Sequence, residues 1–334
     1  MKMARFHGVP VSIRGSGRFL PDRVLTNADL ERMVETSDQW IVERTGIRER
    51  RLVEEGQTAS DLALEAGRIA LEDAGIAPED LDMVLVATNS PDTIFPAVSA
   101  KVQGRLGALR SGATDVQSGC TSGVYALAMG TAGIASGLWR NVLVVGTEAL
   151  SRLIDWEDRN TCILFGDGAG AVVLAPAAPG TGTVLAADLR SDGTKHDLIT
   201  LPASGSERPA SAETVAAKLH TVHMKGNEVF KFVNRILPAY LGEFCESSGV
   251  APGEIDWWIF HQANLRIMEG VLKRFGIPRE KTLINLDRYG NTSSASTFLV
   301  LDEARREGRI RPGQRVILSS FGAGMTWGAI LFEA

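Results

Sequence analysis

The sequence predicts an α/β fold assembled from two copies of one unit. Two observations carry that reading. Short apolar strands alternate with helical stretches along the 334 residues. Long segments also recur at a fixed spacing. Residues 72–85 resemble residues 246–259 at an offset of 174. Each copy reads as a helix end, a glycine stop, a turn with proline, then a buried strand. Residues 142–145 match 316–319 at the same offset of 174. Residues 165–168 match 321–324 at an offset of 156, so the first half holds 18 extra residues between these pieces. A period this long marks two large half-domains, not a solenoid.

Taken in order, strands are expected at 83–87, 142–146, 169–174, 256–260, 315–319 and 327–332. Each is a short, mostly apolar run bounded by turn residues. Residues 114–117 form a short extended piece. Residues 124–137, rich in alanine and glycine, read as a buried helix. The halves divide within residues 175–182, which read Ala-Pro-Ala-Ala-Pro-Gly-Thr-Gly. The expected units are therefore 1–176 and 177–334. Residues 203–212, rich in Ser, Pro and Gly, read as an exposed excursion.

Composition narrows the function classes. Hydrophobic residues at 44% and charged residues at 22% fit a globular protein with a large core. A net charge of −5 argues against a nucleic-acid partner. No apolar run reaches the length of a membrane span, and the first residues do not read as a signal peptide. Cys120, Cys162 and Cys245 have neither metal nor disulfide spacing, so a reducing cytoplasm is expected.

Three residues carry the chemistry. Cys120 stands where the extended piece meets the buried helix. A helix N-terminus offers free N–H groups and positive potential, both of which favour a thiolate. A buried cysteine can equally be a small hydrophobe. His261 follows the strand Trp-Trp-Ile-Phe, at the end where α/β sheets gather ligands. It can serve as a base or donate to an oxyanion, or simply cap the strand. Asn291 lies in Gly290-Asn291-Thr292-Ser293, which the repeat places on Gly119-Cys120-Thr121-Ser122. Its amide can donate without charge, or cap the next helix. Residues 321–328 form a glycine-rich turn. The N–H of Ala323 there and that of Cys120 could complete an oxyanion hole. Residues 165–170 contain a Gly-x-Gly pair but precede a strand, so they are not a dinucleotide loop.

Together these residues resemble the β-ketoacyl-acyl carrier protein synthase III family of the thiolase superfamily. The likeness covers essentially the whole chain, and includes residues 36–50, 226–231, 261–266 and 321–328. It implies a thiolase-like, five-layered α-β-α-β-α fold built from two duplicated halves, and a homodimer. It implies a two-step reaction initiating fatty acid synthesis. Cys120 takes an acyl group from acyl-CoA; malonyl-acyl carrier protein then loses carbon dioxide, and the enolate, held by His261 and Asn291, attacks the acyl group. No metal or organic cofactor is implied; the CoA thioester is a substrate. The resemblance assigns CoA contacts to Thr36, Trp40, Arg44, Arg159 and Asn227. It assigns a carrier-protein patch to Arg266, Lys273 and Arg274. Phe95 matches an aromatic that reaches across the dimer into the acyl pocket.

The chain departs from the family pattern at four positions. Ser122 and Gly123 stand where glycine and a bulky aromatic are common; Ala323 and Met325 stand for a frequent Gly and Phe. The first pair is expected beside the acyl pocket, where it would alter primer preference. Other readings stay open. They are a secondary-metabolite starter or acyl-transfer enzyme, a Cys-His thioester hydrolase and a non-catalytic binding protein. A degradative thiolase would need a second catalytic cysteine in residues 321–328, and none is there. A hydroxymethylglutaryl-CoA synthase would need a glutamate base, for which Glu148 is the candidate.

Overall fold

The computed structural model describes residues 4–334. Its strands are β1 (Ala4–Arg5), β2 (Val11–Phe19), β3 (Arg23–Thr26), β4 (Glu49–Leu52), β5 (Met83–Ala87), β6 (Gly112–Val116) and β7 (Val142–Glu148) in the first part of the chain. There follow β8 (Gly168–Pro176), β9 (Val184–Ser191), β10 (Ile199–Thr200), β11 (His223–Met224), β12 (Trp257–Phe260), β13 (Arg315–Gly322) and β14 (Thr326–Glu333). One sheet has the order β2-β8-β7-β5-β6. β5 pairs parallel with β6 and β7, and β8 pairs antiparallel with β7 and β2. The other has the order β1-β9-β14-β13-β12, with β12 and β13 parallel and the remaining pairs antiparallel. β12, β13, β14 and β9 thus repeat β5, β7, β8 and β2. A single bridge between Trp258 and Thr282 stands where β6 lies in the first sheet. β1 departs from a simple division, because it pairs with β9 in the second sheet.

Helices fill three layers around the two sheets. Ala59–Ala74 and Val98–Leu106 cover the outer face of the first sheet. Gly226–Ser248 and Leu265–Phe275 cover the outer face of the second. Ser122–Ala135 and Ser296–Arg306 lie between the sheets. The result is the five-layered α-β-α-β-α arrangement. Helix Ser122–Ala135 meets a sheet on each side, so it is apolar nearly all round. Helix Gly226–Ser248 instead buries one stripe, including Val229, Phe232, Val233, Leu237, Tyr240, Leu241 and Phe244. Buried Asp302 accepts hydrogen bonds from Ser16, Arg18 and Arg306, tying helix Ser296–Arg306 to β2.

Every strand read from the sequence is present, most of them longer by one to three residues. The helix expected over 124–137 begins at Ser122 and ends at Ala135, ahead of Gly137 in the left-handed region. The excursion is exposed from 204 to 213, but Ala203 is buried.

Candidate active site

β6 ends at Val116, and five residues lead to helix Ser122–Ala135. This loop presses directly against the turn between β13 and β14. A Cβ on Gly322 would lie 2.3 Å from the Cys120 nitrogen. Gly119, at φ +62°, approaches as closely: a Cβ there would lie 2.4 Å from the Ala323 nitrogen. Only glycine permits such contact of backbone with backbone. Hydroxyls fasten the two loops. Ser320 Oγ donates to the Cys120 carbonyl at 2.8 Å, and Thr326 Oγ1 donates to the Ser118 carbonyl at 2.7 Å.

His261 extends β12 by one residue, its N–H donating to Ser319 O at 2.7 Å. Its Nδ1 lies 2.8 Å from Ser296 Oγ, which leaves Nε2 for the cavity. Ser296 Oγ has one proton: given to Ser293 O at 2.9 Å, it leaves Nδ1 as the donor and Nε2 as a base, and turned to Nδ1, it makes Nε2 a donor. Asn291 is fixed by its N–H on Leu164 O at 2.8 Å and by Gly166 N–H on its carbonyl at 3.0 Å. Its Oδ1 accepts from Ser293 N–H at 2.9 Å, so the amide Nδ2 is the end left free to donate. Cys120, His261, Asn291 and Ala323 line one cavity of about 640 Å³. Leu150, Leu153, Val229, Phe230 and Ile267 give much of its wall an apolar character.

Burial decides the ionisation of both titratable groups. The Cys120 thiol is pushed up to about 12, mainly by burial. A hydrogen bond from Ser293 opposes this and the Glu148 charge adds to it. The helix N-terminus alone favours a thiolate, but here desolvation outweighs it. Burial pushes His261 down to about 3, so its imidazole is neutral at pH 7. At pH 7 the resting pair is a neutral thiol and a neutral imidazole. Alkylation of Cys120 by iodoacetamide, followed by peptide mass spectrometry, should therefore quicken about tenfold per pH unit from roughly pH 7 to 10. A plateau near pH 8 would contradict the raised thiol.

The other residues singled out in the sequence separate into groups. Trp40 lies beneath two guanidinium groups: Arg44 at 4.4 Å and Arg159 at 5.4 Å from its ring centroid. Arg159 also donates to Glu35 O at 2.9 Å, and so draws the first half's extra loop to this cluster. Asn264, which lines the cavity, donates to Arg44 O at 2.8 Å and joins the cluster to the site. Thr36 Oγ1 is buried and has no partner among the described residues. Asn227 is exposed, and its neighbour Gly226 lines the cavity instead. Arg266, Lys273 and Arg274 are all exposed on helix Leu265–Phe275, with Arg266 over the Phe230 ring. Phe95 is 83% exposed and does not line the cavity of its own chain.

Two expectations require correction. Ser122 and Gly123 do not line the cavity. Ser122 Oγ donates to Gly119 O at 2.6 Å and accepts from Ser118 N–H at 2.8 Å, so it shapes the nucleophile's loop. Gly123 faces inward, where a Cβ would lie 2.5 Å from Ser294 O. Glu148 is fully buried and also absent from the cavity wall. Its carboxylate accepts from Asn89, Ser90 and Ser294, so it is not placed as a base for substrate. Of the remaining departures, Met325 is buried and Ala323 lines the cavity outside the left-handed region.

Three polar residues of the site escaped the sequence reading: Asn89, Ser293 and Ser296. Asn89 follows the C-terminal end of β5, which the 174-residue repeat equates with the end of β12. That equivalence was the available signal. Among the described residues, no group of three or more His, Cys, Asp or Glu is arranged to hold a metal ion. No helix among them is long and apolar enough to cross a membrane.

Comparison with known proteins places these features in context. Residues 114–193 match the family 3-oxoacyl-[acyl-carrier-protein (ACP)] synthase III, and residues 245–334 match its C-terminal region. A β-ketoacyl-[acyl-carrier-protein] synthase III of Caldanaerobacter subterraneus subsp. tengcongensis is 49% identical over 97% of this chain and 98% of its own. The crystal structure of 3-oxoacyl-[acyl-carrier-protein] synthase III from Aquifex aeolicus VF5 superposes with a TM-score of 0.89 at 40% identity, covering 97% of this chain and 100% of that one. The priming β-ketosynthase of the R1128 polyketide biosynthetic pathway superposes with a TM-score of 0.89 at 32% identity, covering 99% and 98%.

Proposed function

Because the chain belongs to the β-ketoacyl-[acyl-carrier-protein] synthase III family of condensing acyltransferases, we propose that it joins an acyl group from CoA to malonyl-acyl carrier protein. The product is a β-ketoacyl-acyl carrier protein, the first condensation of fatty acid synthesis. One observation carries the residue assignment. Cys120, His261 and Asn291, 171 residues apart at their extremes, open onto a single largely apolar cavity.

The steps follow from that arrangement. Cys120 Sγ attacks the thioester carbonyl as its proton passes to His261 Nε2 and on to the departing CoA sulfur. The N–H groups of Cys120 and Ala323 face the oxyanion. After CoA leaves, the malonyl thioester occupies the same cavity. Its C–C bond to the carboxylate breaks, carbon dioxide departs, and the electron pair moves into an enolate. Asn291 Nδ2 holds the enolate oxygen, joined by His261 in the tautomer that carries its proton on Nε2, with Ser296 Oγ donating to Nδ1. Both are neutral donors in an apolar wall, so they stabilise the charge without readily protonating the carbon. The carbon then attacks the acyl carbonyl and expels Cys120 as a thiolate, which takes up one proton. No metal or organic cofactor enters any step.

The Trp40, Arg44 and Arg159 cluster suits the adenine and phosphate end of CoA, with Thr36 and Asn227 along the pantetheine route. Trp40→Ala should raise KM for acyl-CoA by about fivefold to thirtyfold with little change in kcat, as steady-state kinetics would show. An unchanged KM would remove Trp40 from the CoA site. Arg266, Lys273 and Arg274 present the positive face for an acidic carrier protein. Exposed Phe95 suits a homodimer in which it closes the partner's acyl pocket. The cytoplasm is the proposed setting.

A panel of acyl-CoAs, a malonyl-carrier protein chase and intact-protein mass spectrometry test the proposal. An acyl adduct on Cys120 that disappears as β-ketoacyl-carrier protein forms supports it, and the preferred adduct names the primer. The likeness to a priming ketosynthase favours a second reading, a starter enzyme of specialised metabolism. That enzyme would accept its chase only from a different carrier protein. Release of the adduct to water alone would instead mark a hydrolase.

A further inference from the structure

We propose that Ser293 is a further catalytic group, its hydroxyl donating a hydrogen bond to the Cys120 sulfur. This rests on the acyl-enzyme reading above and adds a residue to it. Ser293 lines the cavity with Cys120 and has a left-handed backbone, φ +46°. Few residues other than glycine adopt that conformation without cost. Here it turns all three polar groups of the residue toward the catalytic set. Its N–H donates to Asn291 Oδ1 at 2.9 Å and orients that amide. Its carbonyl accepts from Ser296 Oγ at 2.9 Å, the hydroxyl that stands on His261 Nδ1.

The third group is the hydroxyl. Ser293 Oγ accepts from Asn89 Nδ2 at 3.2 Å. The same Asn89 amide donates to Gly119 O at 2.9 Å, next to Cys120 in the chain, and to Glu148 Oε1 at 2.9 Å. Asn89 therefore brings Ser293 Oγ beside the nucleophile's loop. An amide nitrogen cannot accept, so the serine's own proton remains to be given, and Cys120 lines the same cavity. Donation favours the thiolate over the thiol, and Ser293 does lower the Cys120 pKa against the effect of burial. The bond strengthens whenever negative charge gathers on sulfur. That happens during attack on acyl-CoA and again when the new carbon–carbon bond expels Cys120.

Two variants separate the hydroxyl from the backbone. Ser293→Gly removes the hydroxyl, keeps the N–H and C=O contacts, and relaxes the left-handed strain. Ser293→Ala removes the hydroxyl and keeps the strain. Each is compared with the wild type for Cys120 alkylation by iodoacetamide across pH, single-turnover acylation, and thermal unfolding. Both should alkylate and acylate about tenfold more slowly at neutral pH, with the alkylation profile displaced to higher pH. KM for acyl-CoA should not change, and the glycine variant should melt no lower than the wild type. Wild-type alkylation rates in a folded glycine variant would overturn the proposal. Alkylation needs no substrate, so it tests Ser293 even if the wild type fails to form an acyl-enzyme; that failure would count against the proposed reaction instead.

Discussion

Cys120→Ala should form no acyl adduct with any acyl-CoA and lose condensation by a factor of about 10⁴ or more. That is the scale seen when a covalent nucleophile is removed. No other thiol can substitute, because Cys162 and Cys245 are buried and neither lines the cavity. Intact-protein mass spectrometry checks the adduct, and circular dichroism checks that the fold remains. An adduct of the same mass on the alanine variant would remove Cys120 from the reaction. The substitution also has a readable effect on stability. In the unfolded chain the thiol ionises near its ordinary value of 9.0, whereas in the fold it stays neutral to about 12. The folded state therefore holds more protons above pH 9, and the wild type loses stability as pH rises through that window. The alanine variant should lack that share of the alkaline loss.

Asn291→Ala should divide the two half-reactions. Condensation should fall by about 10²–10³, the usual result of removing one oxyanion donor from a dry site. Formation of the acyl-enzyme should stay within a fewfold of the wild type, because Cys120 and His261 perform that step. Carbon dioxide release from malonyl-carrier protein and the rise of the acyl adduct measure the two steps separately. Equal loss in both would mean that Asn291 supports the shape of the loop and not the enolate. The Ser293 N–H helps to distinguish these cases, since it holds Oδ1 in the wild type at 2.9 Å and loses its acceptor in the variant. A drop in melting temperature alongside equal losses would identify that structural effect.

Much of this was legible in the sequence for physical reasons. Buried strands are apolar runs wherever they occur, so β5, β7, β12 and β13 could be read directly. The repeat then equated Cys120 with Asn291, and both stand on loops that lead into helices between the sheets. His261 was legible because its strand ends beside it. The charge state of Cys120 was not legible, because its local helix N-terminus argues one way and distant burial argues the other. Ser122 and Gly123 are adjacent to the nucleophile in sequence, yet neither lines the cavity: Ser122 bonds Gly119 behind it, and Gly123 packs on Ser294. Asn89 and Ser293 were missed because their roles lie in a hydrogen bond between residues 204 positions apart. No local pattern encodes the direction of such a bond.

The glycines that let the Cys120 loop touch the turn after β13 also make the two halves depend on one another. Each half contributes one side of that contact, and neither side is a finished surface alone. The two equivalent corners differ, one carrying the thiol of Cys120 and the other the amide of Asn291. The asymmetry that the chemistry requires is thus built on a seam. Any divergence that loosened it would separate the nucleophile from the groups that serve it, so drift in one half is constrained by the other.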